Sequence, residues 1–128
     1  MTVREEIRVP TRPVLSHAAD AVRAGGYVFV AGILPADSAG ALVGGDDVVA
    51  QAKHVFGDLR EVLAAAGCSF ADVAKVTVFL TDVADRAAIN PIRQRVFGDA
   101  RPASTLVEVS ALAVAGARIE VDCVAVPQ

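Results

Sequence analysis

The residues best suited to chemistry lie near the end of the chain, in Arg118-Ile-Glu-Val-Asp-Cys-Val-Ala125. Glu120 and Asp122 are two positions apart, so a strand carries both on one face, opposite Ile119 and Val121. Taken alone, the pair reads as a solvated strand face bearing two acids. In a sheltered position, a carboxylate could also serve as a proton acceptor and donor. Asp122, if close, would raise the pKa of Glu120 by like-charge repulsion. His17 is either a surface-loop histidine or a group that changes charge near neutrality inside a pocket. Asn90 either caps a helix or donates to a ligand from its start. Other chemistries lack their residues. His17 and His54 have no paired spacing for a metal. Ser104 and Ser110 have no visible base. Gly44-Gly45 lacks the strand and lysine of a phosphate loop.

The elements that must position these groups follow from patterning. Residues 3–9 alternate weakly, as an edge strand does, and Pro10 and Pro13 then impose an irregular stretch. Residues 21–24 and 27–31 form a hairpin around Gly25-Gly26, where both turn positions can take positive φ. Residues 34–45 are a loop rich in turn formers. Asp46 and Asp47 suit the start of a helix. Its apolar stripe is Val48, Ala52, Val55, Leu59 and Val62, with Val49, Phe56 and Leu63 beside it, and Gly67 ends it. Residues 73–80 are a strand. Asp82 or Asp85 opens a second helix running to about Phe97, with Pro91 tolerated in its first turns. Two strands around 104–109 and 118–126 close the chain. The order β-β-β-α-β-α-β-β predicts an α+β two-layer sandwich, a mixed five- to six-stranded sheet with two helices on one face. Phe79, Val107, Val109, Val124 and Val126 supply apolar side chains to both sheet faces, so the second face needs a cover from other subunits.

Composition agrees. With 128 residues the chain forms one domain large enough for its own core. Hydrophobic residues make up 54% of it, and its mean hydropathy is +0.49. No apolar run reaches the roughly 18 residues of a membrane span, so the surplus points to a buried subunit interface. The charged start, Met-Thr-Val-Arg-Glu-Glu, has no apolar core of a signal peptide, which makes the cytoplasm the expected compartment. Twelve Lys+Arg against 15 Asp+Glu leave a net charge of -3. That balance offers no electrostatic footprint for nucleic acid. Cys68 and Cys123 match no zinc or redox spacing.

Several segments together resemble the RidA family, also called YjgF or L-PSP endoribonuclease-like. That family reads Pro-Ala-Arg-Ser-x-Val-x-Val, then a turn, then Ile-Glu-Ile/Val-Glu; this chain has Pro102-Ala-Ser-Thr-Leu-Val-Glu-Val109 and Ile119-Glu-Val-Asp122. Tyr27-Val-Phe-Val-Ala-Gly-Ile-Leu-Pro35, Val49-Ala-Gln-Ala-Lys-His54, Leu63-Ala-Ala-Ala-Gly67, Val73-Ala-Lys-Val-Thr-Val-Phe-Leu-Thr-Asp82 and Ile89-Asn90 extend the likeness over essentially the whole chain. The resemblance implies a single RidA-like domain over residues 1–128, with a chorismate-mutase-like fold. It also implies a homotrimer with small-molecule clefts between neighbours, and neither cofactor nor metal. It gives Glu120 the role of activating the water that attacks an imine carbon. Ala31 and Gly32 would present backbone N–H groups at the cleft floor, Asn90 would reach the ligand, and His17 falls at the family's usual tyrosine.

Ser104 departs from the pattern, because it stands where the family's arginine holds a substrate carboxylate. A serine cannot form that bidentate pair. Leu106 replaces a common cysteine and makes the pocket more apolar. Both changes point to a smaller, neutral or more hydrophobic ligand, unless another cation substitutes; Arg101 is near in sequence but is expected to face solvent. The expected function is hydrolysis of reactive enamines or imines to a carbonyl product and ammonia, with a substrate other than a simple 2-imino acid. The alternative is a non-catalytic trimer that binds small molecules. Ribonuclease activity fits poorly, because one tyrosine and no tryptophan offer little for base stacking.

Overall fold

The computed structural model describes residues 3–128; Met1 and Thr2, part of the charged start, lie outside the described residues. Six strands and two helices occur in the expected order. They are β1 (Glu5–Ile7), β2 (Ala21–Ala24), β3 (Tyr27–Ile33), α1 (Val48–Ala65), β4 (Val73–Leu80), α2 (Arg86–Phe97), β5 (Ala103–Glu108) and β6 (Ile119–Ala125). The sheet order is β1-β2-β3-β6-β4-β5. Among the described residues only β4 and β5 run parallel; α2 makes the crossover between them.

Helix α1 starts where an acid can cap it. The Asp47 carboxylate accepts from the N–H groups of Val49 and Ala50. It stops at Gly67, whose φ of +76° lets Cys68 N–H reach back to the Leu63 carbonyl at 2.8 Å. The expected stripe is buried, and Val55, Leu59, Val62 and Leu63 are fully enclosed against Val28, Ile33, Val78, Leu80, Ile119 and Val121 of the sheet. Gln51 is also fully buried on this helix. Its amide donates to the carbonyls of Gly45 and Gly116 and accepts from Arg118 N–H, so it ties the start of α1 to the turn before β6.

Asp82, rather than Asp85, makes the side-chain cap before α2. It accepts from Ala84 N–H at the start of a short 3₁₀ turn, Val83–Asp85. Asp85 instead receives both of its bonds from Arg118, each 2.9 Å long. Asn90 is therefore not a cap: it is the fifth residue of α2, one position before Pro91.

Both helices cover one sheet face. The other face of this chain is open, with Tyr27, Phe29, Val107 and Val126 exposed and Phe79 and Val124 half-buried among them. No helix is long and apolar enough to cross a membrane among the described residues. Cys68 and Cys123 are free thiols buried within the core.

Candidate active site

Glu120 projects from β6 onto the open face. Its cross-strand neighbour there is Phe79, and the next position along the same face pairs Asp122 with Thr77. The carboxylate is half-buried. Burial, and then the charge of Asp122, push its pKa above the ordinary glutamate value. Asp122 is itself pushed up by burial, while the Thr77 hydroxyl and the Lys75 ammonium pull it back.

A bulge in β3 makes room for this carboxylate. Val30 pairs with Cys123 and Ile33 with Val121, so β3 spends one more residue than β6 over that interval. Val30 and Ile33 are both buried, and the extra residue throws Ala31 and Gly32 together toward the open side. Gly32 lies directly against Glu120: a methyl group there would sit 2.1 Å from its Oε2. Gly32 has no positive φ, so its glycine is explained by close approach rather than by backbone conformation. His17 and Ala31 line a neighbouring hollow of about 470 Å³ together with Phe29 and Val30. The His17 side chain is exposed.

Ser104 and Leu106 lie on the opposite face. They pair with Val76 and Val78, whose side chains are buried beneath the helices. Leu106 packs against the core and does not line a hollow with Glu120. Ser104 borders a second cavity of about 480 Å³ between α2 and β5, whose walls include Arg86, Asn90, Arg93, Phe97 and Arg101. Arg101, expected to face solvent, is exposed and also lines this cavity. Arg93 donates to Ser104 Oγ at 2.5 Å and to Asn90 Oδ1 at 3.3 Å. Within one chain, then, the candidate residues form two groups on two sheet faces: Glu120, Gly32, Ala31 and His17 on the open side, and Ser104 and Asn90 on the helix side.

Arg93 escaped the sequence reading. It stands three residues after Asn90, a spacing that puts both on one helix face, and that relation was the available signal. His54 serves structure: its Nε2 lies 2.9 Å from the Ala36 carbonyl and 3.0 Å from Asp58, which also pairs with the buried Arg12.

The family model described as Endoribonuclease L-PSP matches residues 10–127. The chain belongs to this family, known also as RidA or YjgF. Protein DfrA of Myxococcus xanthus is 44% identical over 105 residues, 82% of this chain and 79% of that one. The 3-aminoacrylate deaminase RutC of Acinetobacter baylyi is 38% identical over 123 residues, 94% of this chain and 97% of that one. Among solved structures, RidA from the Antarctic bacterium Psychrobacter sp. PAMC 21119 superposes with a TM-score of 0.87 at 31% identity, covering 95% of this chain and 98% of that one. The family's α+β fold, with a mixed six-stranded sheet and two helices, is the fold described above. Relatives in the family include enamine and imine deaminases at about 40% identity.

Proposed function

We propose that this protein hydrolyses reactive enamines or imines to a carbonyl product and ammonia, with Glu120 activating water. The observation that carries the reading is the cradle at Gly32. A bulge and a side-chain-free residue leave space for one half-buried carboxylate whose pKa is raised. Such a carboxylate is better matched to proton transfer near neutrality than an ordinary glutamate. Glu120 takes a proton from water as the water oxygen bonds to the carbon of the protonated imine, giving a carbinolamine. The amine then takes that proton from Glu120 and leaves as ammonia, while the hydroxyl proton passes to the freed Glu120 carboxylate and the carbonyl remains. Gly32 lies against this carboxylate, and Ala31 and His17 line the neighbouring hollow.

The site closes between copies of a homotrimer. Two observations support this: an apolar open face that a partner must cover, and candidate residues divided between two faces of each chain. Ser104 carries no charge at the β5 position, so the substrate is other than the simple 2-imino acid that an arginine there would hold. The test generates imines from a panel of amino acids with an amino-acid oxidase and measures how much escapes to a fast trap. The reading predicts protection by the wild type on part of the panel, and a shift toward simple 2-imino acids in Ser104→Arg. A wild type inert on the whole panel, with Ser104→Arg equally inert, would favour the non-catalytic binding trimer.

A further inference from the structure

The cavity between α2 and β5 carries a charge pattern that the water-activating carboxylate does not explain. Arg86, Arg93 and Arg101 line it, and no aspartate or glutamate does. None of the three forms an ion pair among the described residues; Arg8, Arg60 and Arg95 form none either, but they do not line this cavity, and what sets the three apart is their gathering around it. Arg93 is half-buried in the wall, and its Nε has no acceptor. Burial, and then the nearby charge of Arg86, weigh against its cationic form. Arg93, half-buried beside Arg86 and without a counter-charge, carries a cost that an anion in the cavity would relieve.

The hydrogen bonds have a direction. Arg93 donates to Ser104 Oγ and to Asn90 Oδ1. These contacts occupy acceptors on Ser104 and Asn90 and leave the serine O–H and the asparagine NH₂ as donors. The wall thus offers a guanidinium, a hydroxyl and an amide N–H, a set suited to a carboxylate and wrong for a cation.

We infer that this cavity binds the carboxylate of an anionic ligand, with Arg93 as the anchor and Ser104 and Asn90 as supporting donors. The acid is then held from the helix wall rather than from β5. The expected smaller, neutral ligand gives way to an anionic one held by a cation from α2. This deepens the deaminase reading and rests on it for the nature of the reacting group.

The test measures binding rather than turnover. The probes are 4-oxopentanoate and 5-oxohexanoate, stable carbonyl acids, and the neutral ketone 2-pentanone, each titrated calorimetrically. The proteins are the intact wild type, Arg93→Gln and Arg93→Lys. At least one oxo acid is expected to bind the wild type, and about 10- to 100-fold more weakly to Arg93→Gln. Arg93→Lys, which keeps the charge and loses the fork, should fall between, and it serves if Arg93→Gln does not fold. Equal binding to wild type and both Arg93 variants would overturn the inference. So would a neutral ketone that binds as tightly as the acids, or no binding of either acid. Arg93-dependent binding without ammonia release from any imine would uphold the anion site and sink the deaminase reading. Turnover of a neutral imine with no acid binding would do the reverse.

Discussion

Gly32→Ala tests the carboxylate cradle without removing the carboxylate. The new methyl group would lie 2.1 Å from Glu120 Oε2 and 2.9 Å from its carboxyl carbon, where ordinary contact begins at 3.4 Å. The oxygen must therefore retreat by about 1.3 Å. Misplacing a catalytic group by about 1 Å can cost roughly 100-fold in rate, or about 2.7 kcal/mol of transition-state stabilisation. The fold should be spared. Gly32 has no positive φ, so alanine can adopt its backbone, and the clash falls on the free end of a flexible side chain. A stability change within about 1 kcal/mol is expected. The assay pairs kcat/KM for ammonia release with a thermal melt. A variant that melts like the wild type and has lost about two orders of magnitude in kcat/KM supports the cradle. Unchanged kcat/KM in a folded Gly32→Ala would refute it.

Three further predictions concern titration and assembly. The Glu120 pKa is raised in the folded state, so ionising it opposes folding. Stability should fall as pH rises from the unfolded value, about 4.3, through the folded one. Glu120→Gln should therefore be more stable than wild type at pH 8, with the difference vanishing below about pH 4, as denaturant titrations at the two pH values would show. The acid limb of the pH–rate profile should lie above the ordinary glutamate value. Asp122→Asn should lower it only in part, because burial is the larger cause and remains; an unmoved limb would remove Asp122 from the account. Phe29→Asp, on the exposed apolar face, should turn the proposed trimer into a monomer in sedimentation and abolish turnover. An active monomer would contradict a site shared between copies.

Much of this architecture was legible in the sequence because its signals are local. The α1 stripe, the Asp47 cap and the Gly67 stop lie within single segments, and so does the alternation that puts Glu120 and Asp122 on one face. Three features were not legible, because each depends on register or on a distant partner. The bulge at Ala31-Gly32 appears only once β3 is laid beside β6. The separation of Ser104 from Glu120 needs the parallel pairing of β5 with β4. Gln51 reads as a polar helix position until the turn at Gly116 is brought against it. Asn90 reads as a possible cap because asparagine is a favoured capping residue and Ile89-Asn90 resembles the pair that opens the family's second helix. In the structure a 3₁₀ turn capped by Asp82 begins the helical run earlier. Ser104 suggested a lost charge, whereas the structure brings the guanidinium of Arg93 against its hydroxyl.

The most direct measurement is ammonia release from enzymatically generated imines by the wild type and Glu120→Gln, at equal protein concentration and with matched folding. Imine hydrolysis accelerated by the wild type, and returned to the uncatalysed rate by Glu120→Gln, is the predicted result. Equal acceleration by both proteins would contradict the role of Glu120.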